Sequence, residues 1–318
     1  AIKEYMKVSK DFKRYPDSDG TFLRKTIAKK FKLDQRRIIL GSGSDQLFEL
    51  ICKAFLNKND EVVVSQYSFI IYRIYSKLNS AKIVYSLENN FTSSVDNMLA
   101  CVTKKTKIIF IANPNNPTGT YVSKKEMLKL RKKLRSDILL VIDDAYFEYM
   151  NFEDYECGLK LFSKFKNVII TRTFSKIYGL AGLRVGWAYA SKKIVDSLYK
   201  VKPPFNVSRP ALFTASAAIK DTAWLNKEIL HVRKWSKIFF STFKKLNIHT
   251  NSSNVNFSLL NFDRAKKNSK QVFHALAKAG ILLRQMDAYS IKNSLRVTIG
   301  NSKENLKLIT ELKKILNV

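Results

Sequence analysis

The sequence predicts an α/β protein in which a mainly parallel sheet covered by helices is followed by a smaller α+β region. Three observations carry this expectation. Between about Thr21 and Ser191, short apolar, β-branched runs alternate with helical patterns, the rhythm of strands joined by crossover helices. Lys202-Pro203-Pro204-Phe205-Asn206 then interrupts that rhythm, since consecutive prolines halt any regular element. Beyond it, long helical stretches are mixed with only a few strands.

In chain order, the first strand is Ile38-Ile39-Leu40. It passes through Gly41-Ser42-Gly43-Ser44-Asp45 into a helix whose apolar positions are Leu47, Leu50, Ile51, Ala54 and Phe55. Runs over 61–64, 82–85, 107–112, 138–142, 168–171 and 185–190 complete a sheet of seven strands. After the break, helices are expected over 208–220 and 222–246, the second long enough to connect two domains. Strands at 255–260, 281–284 and 295–299, a helix near 271–279 and a last helix from Ser302 fill the remainder. The 318 residues suffice for one large and one small domain. The expected division is an amino-terminal arm over 1–16, a large domain over 17–215 and a small domain over 216–318.

Composition narrows the function classes. No run of about 18 apolar residues occurs, so no membrane span is expected, and Ala1-Ile2-Lys3-Glu4-Tyr5 lacks the apolar core of a secretory signal. Cys52, Cys101 and Cys157 are few, odd in number and far apart. They suit a reducing cytoplasm and neither a disulfide framework nor a zinc site. His231, His249 and His274 are equally scattered, and no metal is expected. The charge is unusual: 57 Lys and Arg against 26 Asp and Glu give +31. Nucleic-acid binding is one reading. The favoured reading is lysine spread over solvated helix faces, because no arginine-rich tail, zinc finger or aromatic RNA-binding signature accompanies the basic pairs. Such a field would still help capture a phosphorylated substrate.

Four segments carry chemistry, and each lies where a strand ends, the ligand-binding side of open α/β sheets. Thr171-Arg172-Thr173-Phe174-Ser175-Lys176 runs into Gly179-Leu180-Ala181-Gly182-Leu183-Arg184. A desolvated lysine amine can form an imine with an aldehyde cofactor, and Thr173, Ser175 and Arg184 could hold a phosphate beside it. Asn113-Pro114-Asn115-Asn116-Pro117-Thr118-Gly119, Val141-Ile142-Asp143-Asp144-Ala145-Tyr146 and the glycine turn before Ser44 are the other three. Individually they have plain readings: a solvated lysine, a turn asparagine, a packed tyrosine. Gly41-Ser42-Gly43 does not complete a dinucleotide-binding G-x-G-x-x-G, because position 46 is Gln.

Taken in order, N-P-N-N-P-T-G, D-D-A-Y, T-x-S-K and A-G-L-R resemble the fold-type I pyridoxal-phosphate aminotransferases over about residues 14–300. Softer matches at Arg14-Tyr15-Pro16-Asp17, Gly41-Ser42-Gly43-Ser44-Asp45-Gln46 and Leu295-Arg296-Val297-Thr298-Ile299-Gly300 point to the histidinol-phosphate aminotransferase group. The resemblance implies pyridoxal 5'-phosphate as cofactor, with Lys176 bonded to it and acting as the proton carrier. On this resemblance Asp143 would face the ring nitrogen, while the plain reading of Asp144 is an acid that supports its neighbours or caps a helix. Tyr146 and Asn116 bond the phenolic oxygen, and Phe69 stacks on the ring. Ser44, Asp45, Thr173, Ser175 and Arg184 cup the phosphate at a helix N-terminus. Arg296 is implied for a carboxylate and Arg284 for a substrate phosphate. Tyr15 reaches across a homodimer to the neighbour's cofactor phosphate. The implied substrates are histidinol phosphate and glutamate or 2-oxoglutarate. The group's L-N-x-N-E-N-P-like segment, which helps close the pocket, lies upstream of Ala1, so closure is expected to be affected. Two alternatives within the resemblance are an aromatic amino-acid aminotransferase, with Phe69, Tyr72 and Phe205 lining a ring pocket, and a phosphothreonine decarboxylase. From another class, a basic nucleic-acid binder on a transferase scaffold is the third.

Overall fold

The computed structural model describes residues 1–251 and 255–317. Its larger sheet is built from β1 (Ile38–Gly41), β2 (Glu61–Ser65), β3 (Lys82–Ser86), β4 (Thr106–Ala112), β5 (Leu139–Asp143), β6 (Val168–Thr173) and β7 (Gly186–Tyr189). The spatial order is β1-β7-β6-β5-β4-β2-β3. Pairings from β6 through β3 are parallel, while β7 runs antiparallel to both neighbours. The exception has a local cause. The chain leaves β6 and doubles back within a short loop, pinned by Phe174 N–H donating to Val185 O at 3.0 Å. The connection holds only the single 3-10 turn Ala181–Leu183 and no α-helix of the kind that usually makes a parallel crossover.

Central strands buried on both faces read as continuous apolar runs, and β5 and β6 are buried throughout. One face (Ile109, Leu140, Ile142, Ile170) belongs to an apolar cluster that continues into Phe257, Leu295 and Val297 of the second sheet. The other face (Ile108, Phe110, Val141, Ile169) packs on Leu47, Phe48 and Ile51 of α1 (Gly43–Phe55). The next helix, α2 (Ile70–Leu78), joins the same layer through Tyr72.

The second sheet has β8 (His249–Thr250), β9 (Phe257–Asn261), β10 (Arg284–Gln285) and β11 (Ser294–Thr298) in the order β8-β9-β11-β10, all antiparallel. The helix Thr222–Lys245 was expected and is present. Asp221 caps it by accepting from Trp224 N–H, and it buries Val232, Trp235, Phe239 and Phe243 at helical spacing. The expected strand over 281–284 is mostly not one. Gly280 takes φ 74° and Ile281 N–H bonds back to Leu276 O at 2.9 Å, a helix C-terminal lock that ties Ile281 to the preceding helix. Leu282 is left exposed and the strand pairs only from Arg284. The expected domain division after residue 215 falls inside the helix Arg209–Ala218. Among the described residues, no helix is long and apolar enough to cross a membrane.

Candidate active site

A cleft at the carboxyl ends of β4, β5 and β6 gathers every residue proposed for the site except Tyr15. It is lined by Ser44, Asp45, Phe69, Asn116, Asp143, Tyr146, Thr173, Ser175, Lys176, Arg184, Arg284 and Arg296, with Ala112, Pro114, Ala145 and Ala181 between them.

At one end lies the first turn of α1. Its leading backbone N–H groups have no partner within the helix and its dipole is positive there. Two glycines make that end accessible. Gly43 has φ 76°, and a side-chain carbon on it would sit on the Arg184 guanidinium. A side-chain carbon on Gly186 would lie 2.6 Å from Ser44 N. Arg184 donates to Ser175 Oγ at 3.2 Å and pairs with Asp45 at 3.4 Å, while Ser175 N–H donates to Thr173 Oγ1 at 3.1 Å. Backbone amides, two hydroxyls and a guanidinium therefore converge as an anion cup.

In the cleft floor, Asp143 ends β5. Tyr72 donates to Oδ2 at 2.7 Å, and Ala145 N–H (3.2 Å) and Thr171 (3.3 Å) donate to Oδ1. Burial still dominates and pushes its carboxyl up to about 6, opposed by those donors and by the Lys176 charge. Asp144 points to the opposite side of the sheet. It accepts Gly158 N–H at 2.9 Å, capping the helix Gly158–Phe162, and lies 3.6 Å from Arg172. The division of labour between the two acids follows from strand alternation. Lys176 is half-buried, its Nζ 5.3 Å from the centroid of the Tyr146 ring.

The far wall comes from the second sheet. Arg284 and Arg296 are directly opposite in the β10–β11 register. Like charges so placed repel, and neither arginine has a carboxylate partner among the described residues. Arg296 donates to Asn116 Oδ1 at 2.5 Å, its Nε is buried without a partner, and it lies over the Phe257 ring. Arg284 lies over the Tyr289 ring. Burial lowers the Arg296 pKa.

Two placements, those of Phe205 and Tyr72, correct the ring-pocket reading, and Tyr15 lies outside its own cleft. Tyr15 is 80% exposed, stacked on Phe205 at 4.8 Å, in a neighbouring recess that shares Arg184 with the cleft. Phe205 accordingly does not line a ring pocket. Tyr72 is fully buried and reaches Asp143 from the core side, so of the three rings expected in such a pocket only Phe69 faces the cleft. Thr171 and the buried Arg172 were not foreseen as partners of the two acids. Their position beside T-x-S-K was the available signal, but neither contact follows from spacing.

A mainly parallel sheet with a half-buried lysine, a buried acid and an anion cup at its carboxyl edge defines a class of transferase. The chain matches the family model "Aminotransferase class I and II" over residues 1–312, and it belongs to that family. A histidinol-phosphate aminotransferase of Pelagibacter ubique is 50% identical over 306 residues, covering 96% of this chain and 85% of the relative. One of Rhodopseudomonas palustris is 39% identical, covering 99% and 87%. The crystal structure of the Sinorhizobium meliloti histidinol-phosphate aminotransferase in complex with pyridoxal-5'-phosphate superimposes with a TM-score of 0.91 at 21% identity, covering 99% of this chain and 86% of that one. At that identity the likeness is one of fold.

Proposed function

We propose that this chain is a pyridoxal-phosphate-dependent transaminase that exchanges an amino group between L-histidinol phosphate and 2-oxoglutarate. The observation that carries the substrate assignment is the acid-free pair Arg284 and Arg296 on the far wall of the cleft. Two facing cations without a carboxylate are best satisfied by a ligand anion. The substrate phosphate and the distal carboxylate of 2-oxoglutarate both answer that description. The names of relatives at 50% and 39% identity support the same reading.

The donor set fits the cofactor. The first turn of α1, Thr173, Ser175 and Arg184 would hold its phosphate. Phe69 would cover the ring, Asp143 would face the ring nitrogen, and Asn116 and Tyr146 would bond the phenolic oxygen. When bound, pyridoxal phosphate supplies an aldehyde carbon that bonds an amine and a ring that takes up the electron pair left at the substrate's Cα. The Lys176 amine takes the proton from Cα and returns it to the adjoining carbon, a positioned general base and acid. Asp143 keeps the ring nitrogen protonated; a cation at that point restores the charged carboxylate that burial opposes. Arg284 holds the substrate phosphate. Arg296 holds the α-carboxylate of glutamate and, since histidinol phosphate has none, joins Arg284 on the phosphate. Asp144 and Arg172 fix the turn behind the reacting groups.

The working form is proposed as a cytoplasmic homodimer. Tyr15, exposed and outside its own cleft, suits a role in a neighbour's site, and three free cysteines suit a reducing compartment. The aromatic alternative is disfavoured because Tyr72 and Phe205 do not face the cleft. A panel of amino donors, read through cofactor absorbance, tests the substrate. Histidinol phosphate should be preferred, and Arg284→Ala should weaken it by about 1.5–3 kcal/mol, the range for a lost charged hydrogen bond. Preference for phenylalanine or tyrosine, indifferent to Arg284, would overturn the assignment.

A further inference from the structure

We infer that Tyr72 is a positioning residue for the reaction: its hydroxyl anchors the Asp143 carboxylate and keeps the shared proton on the cofactor's ring nitrogen. The inference rests on the cleft being a pyridoxal-phosphate site. Its geometric basis is independent of any ligand.

Tyr72 lies in the first turn of α2 and is completely buried. Its ring stacks nearly parallel on Phe110, with centroids 4.9 Å apart and planes 5° apart. It meets Phe48 (4.9 Å, 79°) and Phe69 (5.7 Å, 84°) edge-on. Three aromatic neighbours therefore set the ring plane. The hydroxyl reaches one acceptor, Asp143 Oδ2 at 2.7 Å. A buried phenol needs a partner, and a buried carboxylate needs donors more, so the two groups hold each other. Because Tyr72 also meets Phe69, one side chain braces both the acid that would face the ring nitrogen and the aromatic that would cover the ring.

The chemical consequence is a matter of where a proton rests. The groups facing Asp143 are Tyr72 from α2, Thr171 from β6, Lys176 after β6 and Ala145 N–H from its own turn, with Tyr146 lining the same cleft; the Asp144 charge lies on the other side of the sheet. Among the opponents of burial, Tyr72 has the largest effect. A hydrogen bond donated to the charged form makes that form a weaker base. With Tyr72 in place, Asp143 stays ionised opposite the ring nitrogen and the proton stays on the ring. Without it, the carboxylate becomes the stronger base, draws the proton to itself, and the ring accepts electrons less readily.

Tyr72→Phe removes the donor and keeps the ring. In cofactor-free protein, the Asp143 carboxyl followed by carbon-13 NMR should titrate at least about one pH unit higher than in wild type. In protein loaded with cofactor labelled at the ring nitrogen, the nitrogen-15 signal should move toward the unprotonated position. Exchange of the substrate's Cα proton should slow while KM for histidinol phosphate holds. Tyr75→Phe, one turn along α2 and away from Asp143, should change none of these. Should Tyr72→Phe fail to fold, 3-fluorotyrosine at position 72 retains the ring and donates more strongly, so Asp143 should then titrate lower. An unchanged Asp143 titration in Tyr72→Phe, or an upward move with fluorotyrosine, overturns the inference. A protein that binds no cofactor defeats the functional reading instead, and the cofactor-free titration still decides the role of Tyr72.

Discussion

Asp143 is held between burial, which favours its protonated form, and three donors that favour its charge, with the result that its carboxyl sits near 6. Asp144 is also raised to about 6, mainly by burial. Raised carboxyl groups give stability that is full below their unfolded value, near 3.8, and lost as pH rises through the folded value. Cofactor-free protein should therefore lose stability between about pH 4 and pH 6. Asp143→Asn should remove its share of that slope, roughly 3 kcal/mol for a change of this size. Denaturant unfolding across that window checks it; an identical slope in the variant would mean that Asp143 is not buried as described. In the loaded enzyme, the same variant should keep its fold and slow Cα proton removal by roughly two orders of magnitude or more, and wild-type rates would mean the acid is misassigned. At this scale the residue types at the site were legible in D-D-A-Y and T-R-T-F-S-K. The contacts of Tyr72, Thr171 and Arg172 were not, because partners 28 positions apart are set by sheet register and the partner of Tyr72, 71 positions away, by how α2 packs on the sheet.

The elements explain why these residues meet. β5 and β6 are parallel, so Asp143 and Thr171 stand side by side in register. β7 returns antiparallel and brings Gly186 against the first turn of α1. The glycines there are structural requirements. Gly43→Ala would place a side chain on the Arg184 guanidinium at a positive φ, at a backbone cost of about 1–2 kcal/mol. Cofactor affinity, read by absorbance titration, should fall with little change in the far wall's selectivity among anions. Unchanged affinity would show that Arg184 and the helix N-terminus do not hold the phosphate. The seven strands of the larger sheet and the long helix could be read from periodicity, while the two-residue strand β8 could not. The 281–284 strand could not, because a helix-ending glycine claimed Ile281 first. The turn Ile219–Lys220–Asp221 following the helix Arg209–Ala218 is the natural place to propose the domain boundary.

For the whole molecule, charge and assembly are the open terms. The +31 charge suits capture of phosphorylated anions, and substrate kcat/KM should fall with added salt. In a shared-site dimer, chains carrying Tyr15→Phe and Lys176→Ala each lack one part. Random mixing makes half of the dimers hybrid with one intact site of two, so about a quarter of wild-type activity should return. No recovery on mixing, or full activity from a monomer, would contradict the shared site. The charge is read directly from the sequence, but assembly is not, since it depends on surfaces whose partners periodicity does not encode. The central claim, that Lys176 carries the cofactor, has one direct measurement. Borohydride reduction of the purified protein with pyridoxal phosphate, followed by peptide mapping, should find a stable cofactor adduct on Lys176 and none in Lys176→Ala. An adduct on any other lysine of this lysine-rich chain, retained in that variant, would contradict the account.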